Sequence, residues 1–119
     1  MGNKNRISNK MIYRNKRIEN KIGIKDLNIY AYKKGNSILI LGEVYGNINS
    51  TFYMKCIIYD NDNDIIVSEE SERFGGHGLV SNNIKPIVYF DGYPFEFDIY
   101  ISDFPNIKKI MIEPIIVKD

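Results

Sequence analysis

Tryptophan is absent from this 119-residue chain, cysteine and histidine occur once each, and alanine stands only at Ala31. Cys56 alone can form no intrachain disulfide and no multi-cysteine metal site. No segment holds the ~18 consecutive apolar residues that a membrane-spanning helix requires, so no transmembrane segment is expected. The basic N-terminus has no apolar core of the kind a signal peptide carries. A phosphate-cradling glycine loop is missing too, because Gly75-Gly76-His77-Gly78 is followed by no Lys-Ser/Thr pair.

What is present is a globular composition. With 44% apolar and 26% charged residues the chain can build one core, and its length fits one domain. Heavy use of Ile and Tyr over Ala favours sheet over helix. Charge is unevenly spread beneath a net +1. Residues 1–25 carry Lys4, Arg6, Lys10, Arg14, Lys16, Arg17, Lys21 and Lys25 against Glu19 alone, and the remainder is net acidic. A basic arm over 1–25 therefore precedes a β domain over 26–119. Ile7, Met11, Ile18 and Ile22 fall on one helical face, with Gly23 placed to cap it. The arm reads as a short helix or a disordered lead-in, with an extra strand as the alternative.

From residue 26 onward, period-two alternation dominates. Leu27, Ile29 and Ala31 share one face of a first strand, Tyr30 and Tyr32 the other. The stretch 37–46 is apolar on both faces at its start, which suits a central strand. Thr51 to Tyr59 places Phe52, Met54, Cys56 and Ile58 on one face, and Lys55 marks the opposite face as the outer one. Asp60-Asn61-Asp62-Asn63-Asp64 is a turn, and 65–68 returns as a hairpin partner. Residues 69–83 read as an irregular loop. Residues 84–90 form a short edge strand because of Pro86, and 91–94 a turn. Phe95, Phe97, Ile99 and Ile101 alternate strictly, and 107–117 closes the chain. About seven antiparallel strands at this spacing predict an all-β, two-sheet sandwich of immunoglobulin-like type. The expected core is Ile38, Ile40, Val44, Met54, Cys56, Ile58, Phe95, Phe97, Ile99, Ile101 and Ile110.

Gly42-Glu43-Val44-Tyr45-Gly46-Asn47, Cys56-Ile57-Ile58-Tyr59-Asp60, Asn61-Asp62-Asn63-Asp64 and Pro94-Phe95-Glu96-Phe97 follow one another in an order that resembles bacterial FxLYD-type domains and related small immunoglobulin-like modules. The resemblance covers about 26–117. It departs at Cys56, where the motif has Phe, and in the turn, which lacks its usual Gly. It implies a sandwich fold and an association with bacterial envelope proteins, and it brings no catalytic residue. An export signal removed ahead of Met1 would place the protein in the envelope; without one the expectation is cytoplasmic.

Candidate chemistry is sparse. Asp60, Asp62 and Asp64 match the first ligands of a calcium loop, but Ile65 and Ser71 stand where its Gly and bidentate Glu belong. Asp and Asn also stabilise turns without metal. His77 in its glycine loop has no orienting partner in the sequence. Tyr30, Tyr32, Tyr45, Tyr53 and Tyr59 lie on the non-core parity of three strands, and tyrosine is enriched at interfaces. The expectation is a noncatalytic binding or structural module with no cofactor, contacting an unknown protein or a second copy of itself. The alternatives are a small ligand-binding or enzymatic domain around His77 and nearby carboxylates, and contact of the basic arm with nucleic acid or an anionic membrane. The acidic body makes nucleic acid the less favoured partner.

Overall fold

Two sheets of alternating apolar residues bury their inner faces against each other. The structure, a computed structural model, describes residues 6–74, 88–101 and 107–117. Its elements are β1 (Ile12–Arg14), α1 (Lys16–Ile22), β2 (Ile24–Lys34), β3 (Ser37–Ile48), β4 (Phe52–Asp60), β5 (Ile65–Phe74), β6 (Val88–Tyr100) and β7 (Ile107–Ile116). One sheet has the order β1-β7-β4-β5 and the other β2-β3-β6. Among the described residues the all-β, two-sheet architecture with seven strands is as expected. The seven include β1, however, which runs parallel to β7. β6 takes in both 95–100 and the described end of the strand expected over 84–90, whose residues 84–87 lie outside the described ones. Among the described residues no helix is long and apolar enough to cross a membrane.

Every residue of the expected core is buried, and the buried cluster extends beyond it to Ile48, Phe52, Phe74, Phe90 and Ile112. β3 is the central strand of its sheet, flanked by β2 and β6. On the outer face of the four-stranded sheet, Lys55 stands between Glu70 and Glu113 in register, so opposite charges neighbour one another across three strands.

Two expectations are corrected. The first concerns residues 91–94, which do not turn. β6 continues through them because β3 is long enough to pair along its whole length. The extra residue is absorbed as a bulge opposite Val44 and Tyr45, with Gly92 at φ 81° in the left-handed region that glycine tolerates. Locally, Asp-Gly-Tyr-Pro has turn chemistry; cross-strand pairing overrides it. The second concerns the polar stretch after Ser68. It stays extended to Phe74, since pairing with β4 carries the register on to Phe52 opposite Phe74.

The basic segment holds two of the elements read for it, a short helix ended by Gly23 and an extra strand, β1. Residues 7–22 form no single helix. Ile7 lies extended, its N–H donating to the Ala31 carbonyl at 2.8 Å. A short 3-10 turn spans Asn9–Met11, and only Lys16–Ile22 is α-helical. Asn15 caps α1 by accepting from the Ile18 N–H, and Gly23 terminates it. Ile7, Ile22 and Ile24 join the same buried cluster as the β strands, so this segment is built into the sandwich. Four apolar residues among many cations left the helical and extended alternatives too close to separate from sequence.

Candidate interaction surface

The N-terminal segment covers one side of the sandwich. β1 and β2 are edge strands there, and α1 packs on β2 and β7. The Arg14 guanidinium donates twice to the Glu19 carboxylate, at 3.0 and 2.6 Å, and Glu19 is buried. That hydrogen-bonded carboxylate raises the Arg14 pKa further. The Asn15 side-chain amide donates to Glu113 at 3.3 Å, and the Asn49 side-chain amide donates to the Lys21 carbonyl at 3.2 Å. These bonds tie the segment to β7 and to the β3–β4 connection. Between β1 and β2 lies an open depression of about 710 Å³, lined by Arg6, Arg14 and Lys16 with Asn9, Asn28, Tyr13 and Tyr30.

The opposite side has a different chemistry. β5 and β6 are the edge strands here, joined by contacts of Phe74 with Phe90, Tyr93 and Phe95 at ring separations of 6.4, 5.2 and 6.2 Å. Phe74 also meets Phe52 edge-on at 5.1 Å. Beside this cluster an open groove of about 620 Å³ is lined by Leu41, Phe74, Tyr93, Pro94 and Phe95, with Glu43, Glu72 and Glu96 among its carboxylates. Ser71 steadies the β4–β5 bulge: its hydroxyl accepts from the Met54 N–H and donates to the Glu72 carbonyl. Tyr89, Tyr93 and Tyr100 on β6 are exposed, as are Ile65 and Ile66 on β5.

The five tyrosines singled out from the sequence do not form one patch. Tyr30, Tyr32 and Tyr45 belong to the three-stranded sheet, Tyr53 and Tyr59 to the four-stranded one, and these outer faces look in opposite directions. All five are half-buried. On the first face, Tyr32-Leu39-Asp98 and Tyr30-Leu41-Glu96 are cross-strand rows, and Tyr45 stands between Asp26 and Asp91. The negative charge of Glu43, then burial, then Asp91 raise the Tyr45 phenol above its ordinary pKa. Arg6 lies 5.2 Å over the Tyr30 ring. On the second face the Lys109 ammonium sits 4.7 Å from the Tyr59 ring and 5.5 Å from that of Tyr13.

Asp60, Asp62 and Asp64 do come together, with ligand-capable oxygens within 4.8 Å of one another. Asp60 Oδ1 accepts from the backbone N–H groups of Asp62 and Asp64 at 2.8 and 2.9 Å. That is a side-chain-closed turn, with Asn63 at φ 65°. Cys56 is fully buried, and burial followed by the charge of Glu69 pushes its thiol up to about 12. His77 lies outside the described residues.

Sequence reasoning passed over Phe74, Phe90 and Tyr93. Phe74 lies within the stretch 69–83 that reads as loop, Phe90 ends the stretch 84–90, and Tyr93 stands inside the expected turn 91–94. Their only signal was register with Phe52, Gly46 and Val44, which requires the pairing to be known. Comparison of the chain with protein-family models, with curated proteins and with solved structures finds no match in any of the three.

Proposed function

We propose that this chain is a noncatalytic, immunoglobulin-like binding module that contacts a protein partner through the β5–β6 side. The observation that carries the functional reading is the pair of edge strands flanking an aromatic groove. Edge strands offer unpaired backbone groups to an added strand, and the groove beside them offers apolar contact to alternate side chains. The N-terminal segment lies on the other side of the sandwich.

The immunoglobulin-like assignment is supported by the pairing pattern. Leaving β1 aside, the first, second and fifth strands form one sheet, and the third pairs with the sixth in the other. The A-B-E and C-F pairings of that fold family have this order, and β1 takes the position beside β7 where a final strand would lie. The resemblance of Gly42–Asn47, Cys56–Asp60 and Pro94–Phe97 to FxLYD-type modules fits the same assignment. Cys56, whose thiol is buried and held protonated, is not placed to act as a nucleophile.

The test is selection of peptides from a random displayed library on the immobilised chain, followed by mapping of a bound peptide on backbone amide NMR signals. Shifts along β5 and β6, and weaker binding by Tyr93→Ala, are the expected results. Failure to recover any peptide, or shifts gathered on another face, would overturn the proposal.

A further inference from the structure

The two open sides of the sandwich carry opposite charge. β5 and β6 hold Glu69, Glu70, Glu72, Asp91, Glu96 and Asp98 against Arg73. The segment on the other side holds exposed Arg6, Lys10, Lys16, Arg17, Lys21 and Lys25, while its one carboxylate, Glu19, is bonded to Arg14. Three strand spacings separate β1 from β5, about 14 Å, and two separate β2 from β6, about 10 Å at ordinary sheet geometry. Both exceed the Debye length of about 8 Å at physiological ionic strength, so the two sides do little to neutralise each other within one molecule. Each presents its own field to the surroundings.

We infer that the occupant of the β5–β6 side is the basic side of a second copy of this chain. This rests on the reading of that side as the binding surface. Charge complementarity selects the partner: an acid-rimmed groove favours a cationic surface, and this chain carries one. The complementary patches lie on opposite sides, so a two-fold axis cannot bring both pairs together in one dimer. The contact is head-to-tail, and it leaves one acidic and one basic side open for further copies.

Sedimentation velocity on the full chain tests this in low and in high salt. Expected in low salt are species that grow with concentration, and in high salt monomers. The triple variant Glu69→Gln, Glu72→Gln, Glu96→Gln and the triple variant Lys16→Gln, Arg17→Gln, Lys21→Gln each weaken the contact by about three-fold to a hundred-fold, since each of three exposed pairs contributes about 0.2–1 kcal/mol. Mixed, they form a one-to-one pair and stop there, because each supplies the side the other lacks. These positions are exposed, and circular dichroism checks that both variants fold. A wild-type chain that stays monomeric in low salt overturns the inference. So does a dimer that neither variant changes, which would signify edge-to-edge pairing. Both outcomes leave the peptide-mapping test of the β5–β6 side standing on its own result.

Discussion

The ring of Phe95 fills the space a side chain would take on Gly42: a Cβ there would stand 2.1 Å from the ring edge. The two residues are paired in register across β3 and β6, on the core face. The β3 backbone cannot move without disturbing the buried cluster, so the Phe95 ring has to give way toward the groove it lines. Gly42→Ala is therefore expected to destabilise by about 1–3 kcal/mol through overpacking, measured by urea denaturation. Combined with Phe95→Leu, the cost should fall below the sum of the single changes. Additive costs would show that the two residues do not meet.

Phe97 lies one inward position further along β6, opposite Ile40, and is 3% exposed. Phe97→Ala is expected to cost about 3–5 kcal/mol. A thermal midpoint lowered by less than a few degrees would place this side chain outside the core.

The N-terminal segment is expected to be part of the cooperative fold. Ile22 is fully buried, so Ile22→Ala should cost about 2–5 kcal/mol. Glu19→Ala leaves Arg14 without its hydrogen-bonded partner and should cost about 1–3 kcal/mol, the lower end reflecting the partial exposure of Arg14. Chemical denaturation of each variant measures this. Midpoints equal to wild type would reduce the segment to a tether.

Asp60 and its two acidic neighbours should behave differently. Asp60→Ala removes the acceptor of two backbone hydrogen bonds and is expected to cost about 1–2 kcal/mol in calcium-free buffer. Asp62→Ala and Asp64→Ala change exposed side chains and should stay within about 0.5 kcal/mol. Equal costs for all three, appearing only with calcium present, would instead mark a metal loop.

The Cys56 thiol should resist alkylation in the folded protein and react fully after denaturation. Its folded pKa, pushed up to about 12, lies above the ordinary value of 9.0. Between those two values the unfolded chain has released a proton that the folded chain keeps. Stability from this group is thus complete below about pH 9 and declines as pH rises toward 12. Denaturation midpoints of wild type and Cys56→Ala across that range check the sign: the wild type should lose more.

Much of the sandwich was legible because burial on one face of a strand writes a period of two into the chain. Phe52, Met54, Cys56 and Ile58 state which side faces inward, and no later contact can reverse that without exposing all four. The same period correctly set Tyr30, Tyr32, Tyr45, Tyr53 and Tyr59 outside the core. It could not say that they lie on two opposed faces, because parity is local to a strand and carries nothing about which strands share a sheet.

What the sequence by itself determined was the strand-forming pattern, the inward set of side chains and the separation of basic and acidic charge along the chain. Tertiary structure alone decided the rest. Pairing with β3 turned Asp91-Gly92-Tyr93-Pro94 from a turn into a bulge, and pairing with β4 carried Ser71-Glu72-Arg73-Phe74 on as strand. Docking on β2 and β7 brought the basic segment into the core and set it across the sandwich from the carboxylates of β5 and β6. The physical reason is one of range. Alternation is enforced residue by residue at a buried face, whereas strand order, bulges and the placement of edges are fixed by hydrogen bonds between residues far apart in the chain.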